Sequence, residues 1–351
     1  MNGESRPVSY AFLAALLYSL STPLSKLLLV SVSAPLLASM LYFGAGFGML
    51  LLRLTKRSGK TGQKEALIGK ADYLYILGMI TLDVAAPILM LIGLSTITSA
   101  NAALLSNFEI VATTIIASIL FKEFVGRRMW LAIAIIAIAS VILSVADASS
   151  FTFSTGSILV LLACVCWGLE NNCTRMIAAK DPKQIVMIKG IGSGTIALLI
   201  SLITGIHPFP WLLIPVSLLL GFISYGLSIY FYVRAQRELG ASRTSAYYAS
   251  APFLGVALSG VLYQQTLTLQ FGMAFFLMAL GSFLVFSEKH AHLHRHEANT
   301  HEHAHNHLDG HHTHHHINGF QGWHNHPHTH EAIEHSHNHT PDTHHKHSHN
   351  Q

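Results

Sequence analysis

Ten times between residues 8 and 287 the chain runs apolar over a length near that needed to cross a lipid bilayer. The segments are 8–30, 33–52, 73–94, 99–121, 129–146, 156–178, 185–205, 211–233, 244–262 and 268–287. At about 1.5 Å rise per residue, a helix of about 20 residues covers a hydrocarbon core of about 30 Å. Composition agrees: 51% of residues are hydrophobic and 11% are charged, when a soluble domain carries roughly 25% charge. These features predict an all-α integral membrane protein of ten transmembrane helices. The first run is too long for the apolar core of a signal peptide, so a retained first span is expected. Cys164, Cys166 and Cys173 all fall in one apolar segment, which argues against a disulfide framework.

Basic residues orient the spans. With the N-terminus in the cytoplasm and alternating spans, 17 of the 18 Lys and Arg residues before residue 288 fall on the inner side, and only Lys26 does not. The segment 53–72 alone holds Arg53, Lys56, Arg57, Lys60, Lys64 and Lys70. A plasma or inner membrane protein with both termini cytoplasmic is expected.

The two halves are alike. Gly93 to Trp130 aligns with Ala235 to Gly272 at a constant offset of 142, and Ala15 to Leu29 aligns with Cys164 to Ala178 at an offset of 149. The second match pairs Tyr18 with Trp167 and Lys26 with Arg175. Five spans is an odd number, so a second copy must enter the membrane upside down, the architecture of many secondary transporters. The expected organisation is a first repeat over 1–146, a second over 147–287, and a tail over 288–351.

These paired blocks, together with ASILFKEFVGRRMWLAIAIIAIASVIL in the fourth and fifth segments, resemble the EamA type of the drug/metabolite transporter superfamily. The resemblance covers about residues 8–287. It implies two inverted five-helix repeats and secondary transport of amino acids, sugars, nucleotide-like metabolites or drugs, usually outward. The family's acid after the fourth span matches Glu123, where the second half has Gln265; its proline in the ninth helix matches Pro252, where the fourth has Glu109.

Three acids lie within apolar segments: Asp83, Glu109 and Glu170. A carboxylate at that depth costs several kcal/mol unless it is paired, protonated or facing water, so intramembrane acids are candidate proton carriers or substrate ligands. The bland alternative is a structural ion pair. Lys26 breaks the inside rule and occupies a position where the family has a lysine, which makes it a candidate pathway residue. Lys189, near the inner end of its span, reads as a snorkelling residue with Glu170 as an alternative partner. Asn101, Asn107, Asn171 and Asn172 offer amides to a polar pathway, against the simpler role of interhelical hydrogen bonding. Trp167, with Tyr225, Tyr230, Tyr247 and Tyr248, is a candidate cavity wall. Cys166, Glu170 and Cys173 share one helical face, a weak soft-metal pattern against ordinary buried thiols.

The last 64 residues hold 24 of the 25 histidines and no apolar periodicity, which predicts a disordered tail. His301, His303, His305, His307, His311, His312, His314, His315, His316, His324, His326, His328 and His330 are interchangeable candidate ligands for Zn²⁺, Ni²⁺, Co²⁺ or Cu²⁺. A pH sensor and neutral low-complexity drift are the other readings.

Three functions fit: a proton-coupled exporter of small metabolites or drugs, a transporter of divalent metal or its chelate, and a membrane-tethered metal store or sensor. No nucleotide-binding loop is present, and no catalytic constellation converges, so neither ATP-driven transport nor enzyme activity is expected. No cofactor is required beyond metal at the tail. Expected partners are the bilayer, a small-molecule or ion substrate and divalent metal, with a second copy of the chain as a candidate; no nucleic acid is expected.

Overall fold

A computed structural model describes residues 5–55, 69–120, 125–147, 152–177, 180–205, 211–235, 247–264, 268–286 and four tail segments, 291–295, 299–305, 324–330 and 334–338. Among these residues eight helices are long and apolar enough to cross a membrane: Val8–Leu28, Ala34–Leu54, Tyr73–Thr96, Ser99–Leu120, Arg127–Ser144, Thr155–Thr174, Pro182–Thr204 and Trp211–Ala235. They are numbered here as spans one to eight. Two shorter apolar helices follow, Ala251–Tyr263 and Leu269–Val285, the ninth and tenth. The ninth, with 13 residues, reaches about 20 Å, short of a hydrocarbon core of about 30 Å. Pro252 sits in its first turn, where the missing N–H costs nothing.

Several spans depart from a continuous α-helix, and local chemistry explains where. The first divides into Ser5–Ser19 and Ser21–Leu28. Pro23 has no N–H to give to the carbonyl of Ser19, four residues back. In the third span Pro87 removes the helical donor of the Asp83 carbonyl in the same way. The fourth divides at Ser106 and Asn107 into Ser99–Leu105 and Phe108–Leu120. There the Ser106 hydroxyl donates to the Ala102 carbonyl at 3.0 Å and the Asn107 amide to the Leu104 carbonyl at 3.0 Å, competing with the backbone. The eighth contains a π-helical stretch, Phe222–Leu227, which carries Tyr225.

The third span packs on the sixth, the second on the seventh, the fifth on the tenth and the fourth on the ninth. The fourth also meets the sixth and the first meets the ninth; the second meets the eighth and the third meets the seventh. Small residues allow this approach. A Cβ on Gly190 would stand 2.4 Å from the Gly46 nitrogen, so the second and seventh spans touch backbone to backbone. A Cβ on Gly168 would stand 2.8 Å from both the Ala112 Cβ and the Thr113 nitrogen, which fixes the sixth span against the fourth. One large apolar core runs through the bundle, from Leu37, Leu41 and Met49 to Leu94, Leu104 and Leu105. Phe12, Leu51, Leu74, Ile119, Val261 and Phe276 face outward, as a lipid-facing surface requires.

The fifth and sixth spans are joined through a short antiparallel pairing of Val145–Asp147 with Thr152–Phe153. In the tail, which sequence composition predicts to be disordered, Ala291–Arg295 pairs with Glu334–Asn338 and Asn299–His305 with His324–His330, both antiparallel. Alternation of His with other residues has the period of two that a strand needs, a pattern that a reading for apolar periodicity passes over. His301, His303, His305, His324, His326, His328 and His330 fall on these strands; His307, His311, His312, His314, His315 and His316 lie outside the described residues.

Candidate functional site

The bundle gathers its buried charges at one place. Asp83 in the third span is fully buried, and Glu170 in the sixth is 2% exposed. Lys189 in the seventh stands between them, its Nζ 3.0 Å from Asp83 Oδ2 and 3.0 Å from Glu170 Oε1. Two carboxylates around one ammonium satisfy a charge that a buried lysine could not otherwise keep. Further bonds complete the cluster. The Tyr42 hydroxyl, from the second span, donates to Asp83 Oδ1 at 2.8 Å, and the Thr174 hydroxyl donates to Glu170 Oε1. Lys189 is buried at 8% exposure, so the expectation that it snorkels to the interface is corrected.

Glu109 lies beside this cluster on a separate support. It occupies the first turn of Phe108–Leu120, immediately after the break in the fourth span. A helix start favours a carboxylate there. Asn171 Nδ2 donates to Glu109 Oε1 at 2.6 Å and reaches the Thr113 hydroxyl at 3.4 Å. Asn172 faces the fourth span as well, donating to the Thr113 carbonyl at 3.2 Å and to the Gly168 carbonyl at 2.8 Å. The run Glu170, Asn171, Asn172 thus serves two carboxylate sites from adjacent positions of one helix.

Aromatic rings and hydroxyls border two small cavities, each with room for about one water. One is lined by Tyr18, Ser19, Thr22, Ser106 and Pro252 with its neighbours. The other lies among Tyr18, Ser21, Ser25, Trp167 and Tyr225, with Leu94 at its edge. The Ser25 hydroxyl is buried there with no protein partner among the described residues. Rings also meet at the opposite end of the first and eighth spans. Tyr10 stacks on Phe231 with centroids 5.6 Å apart, and the Arg234 guanidinium lies 5.5 Å from the Tyr10 ring and 5.8 Å from that of Tyr230. Charge over a ring face adds attraction to these contacts.

The family model for the EamA-like transporter family matches residues 5–145 and again 154–287. The chain belongs to the EamA-like transporter family. This EamA-like transporter is 27% identical over 289 residues to an uncharacterized transporter from Methanothermobacter thermautotrophicus, with 78% of this chain and 84% of that protein covered. It also superposes on a solved crystal structure with a TM-score of 0.57 at 17% identity, over 79% of this chain and 94% of the other, a likeness of fold. Family and apolar helices together make it a multi-pass membrane transporter.

Within this transporter the sequence candidates separate into two groups. Asp83, Glu109, Glu170, Asn171, Asn172 and Trp167 meet around the carboxylates and cavities. Lys26 does not: its Nζ donates to the Ser95 and Ile97 carbonyls at 3.0 and 2.9 Å, as well as to that of Leu94, and so caps the third span. Asn107 bonds its own helix and accepts from Ser282 at 3.4 Å, and the Asn101 N–H donates to Thr98 in an N-cap. Cys166 and Cys173 form no metal cluster with Glu170 among the described residues. Tyr42, Thr113 and Thr174 complete the site and were not singled out from sequence. Their only available signal is position, a polar group mid-span in an otherwise apolar helix.

Proposed function

We propose that this membrane protein is a secondary exporter of small metabolites or drugs, coupled to protons through Asp83, Glu109 and Glu170. The observation that carries this reading is Lys189 held between Asp83 and Glu170, with a third carboxylate, Glu109, bonded to Asn171. Two carboxylates share one ammonium and a third lies beside them, so the cluster has room to take up a proton or release one without leaving an unpaired cation. Two inverted five-helix repeats, with the site between them, are part of the proposal. Its support is the double family match and the contact pattern. Exchanging each span with the one five positions away turns third-on-sixth into eighth-on-first, fourth-on-sixth into ninth-on-first, and second-on-eighth into seventh-on-third. The positive-inside count supports cytoplasmic termini in a plasma or inner membrane.

Glu109→Gln is expected to remove proton-driven flux in reconstituted vesicles while leaving downhill exchange in place. The solute is found first by screening amino acids, drugs and divalent metals with the unsubstituted protein. Proton-driven flux unchanged in the variant would refute the coupling role of Glu109.

A second reading, transport of divalent metal or its chelate, is favoured by the 24 histidines of the tail. Under it the tail collects Zn²⁺, Ni²⁺, Co²⁺ or Cu²⁺ for the pathway. Deletion of 288–351 is then expected to lower metal binding by the purified protein, read by calorimetry with Ni²⁺ and Zn²⁺, and to alter metal tolerance of cells. Cells whose metal content is the same with and without the whole protein would exclude metal as cargo.

A further inference from the structure

The charged cluster and the cavity beside Tyr225 are joined by uncharged side chains. Tyr42 is 2% exposed and commits its hydroxyl to Asp83. Its ring centroid lies 5.5 Å from that of Tyr225 at an interplanar angle of 51°. The Tyr225 hydroxyl accepts a hydrogen bond from Ser21 at 3.2 Å, and Ser21 and Tyr225 both wall the cavity. Tyr18 faces Tyr225 at 6.2 Å and borders both cavities. An unbroken set of contacts therefore leads from the Asp83 carboxylate to the cavity. Tyr225 also sits in the π-helical stretch, where backbone hydrogen bonds are already out of α register.

We propose that Tyr42 is a positioning residue through which the charge of Asp83 sets the opening of the cavity walled by Tyr18, Ser21 and Tyr225. This rests on the reading of Asp83 as a coupling group. Ionised Asp83 is a charge-assisted acceptor and pins the Tyr42 hydroxyl. On protonation that bond weakens, Lys189 keeps Glu170 as its anionic partner, and Tyr42 is free to turn. Its ring then no longer braces Tyr225, and the cavity wall loosens. The groups facing this exchange are Tyr42 of the second span, Glu170 of the sixth, Lys189 of the seventh and Tyr225 of the eighth. Glu109 of the fourth stands apart on Asn171. The sign follows: the cavity opens as pH falls through the titration of Asp83.

The test needs no knowledge of the solute. Cys164, Cys166 and Cys173 are replaced by alanine, and Thr22→Cys places one thiol in the lining of both cavities. A second protein carries Val30→Cys, 86% exposed, as a reference for the reagent's own pH dependence. Both are reacted in lipid nanodiscs with a charged methanethiosulfonate. The ratio of the two rates is expected to rise about fivefold from mildly alkaline to mildly acidic buffer. Tyr42→Phe, which removes one oxygen and keeps the ring, is expected to hold the ratio high and flat, as is Asp83→Asn. Elution as a single sharp peak checks the fold of each variant. A Tyr42→Phe protein that titrates like its parent, with Asp83→Asn flat, overturns the role of Tyr42 alone. An Asp83→Asn protein that still titrates removes Asp83 as the coupling group and the inference with it. A flat parent overturns both.

Discussion

Replacing Lys189 by methionine is expected to cost about 3–5 kcal/mol of stability and to abolish transport. The substitution keeps the length of the stem and removes the charge that Asp83 and Glu170 share at 3.0 Å each. Two buried carboxylates are then left within reach of one another, with Tyr42 and Thr174 as their donors among the described residues. Thermal denaturation of the detergent-purified protein reads the loss, and vesicle flux reads the activity. Neutralising the partners tells pairing apart from packing. Lys189→Met combined with Asp83→Asn and Glu170→Gln is expected to recover most of the stability and none of the proton coupling. A single Lys189→Met variant as stable as its parent would show that the bridge does not bear on the fold.

Gly168→Leu is expected to be comparably damaging through geometry alone. A first side-chain carbon at that position meets Ala112 Cβ and the Thr113 nitrogen at 2.8 Å, inside van der Waals contact. Backbone cannot yield as a side-chain tip does, so the sixth span must move off the fourth. Forced overpacking of this kind costs about 1–3 kcal/mol. The larger effect falls on the site, because Asn171 and Asn172 reach Glu109 and Thr113 across that same contact. Transport is expected to fall by about tenfold or more, since displacement of positioning groups by about 1 Å costs still larger factors in many sites. Gly168→Ala serves as the graded control, with an intermediate loss in both thermal stability and vesicle flux. Normal flux in Gly168→Leu would mean that the fourth and sixth spans do not hold the site together.

Much of the fold is legible in the sequence, and the reason is local. Whether a segment of about 20 residues avoids water is a property of its own side chains. Eight of the ten apolar segments accordingly become helices of spanning length, and the last two become shorter ones. The family resemblance is legible for the same reason, carried by contiguous stretches such as ASILFKEFVGRR. The cost of an intramembrane acid is also local, and it marks Asp83, Glu109 and Glu170 before any neighbour is known. Residues whose meaning depends on a partner are not legible in this way. Lys26 and Lys189 look alike as cations near opposite ends of apolar runs. One caps the third span through the carbonyls of Ser95 and Ile97, and the other sits between two carboxylates.

The sequence by itself determined a helical membrane protein, its family, and the three acids that make its interior expensive. Only the tertiary structure decided what those acids meet. Asp83 and Lys189 are 106 positions apart in the chain and 3.0 Å apart in space, and no periodicity encodes such a meeting. It follows from glycines that bring the seventh span onto the second and the sixth onto the fourth. Burial is a property each helix carries alone, whereas ion pairing is a property of the packed bundle.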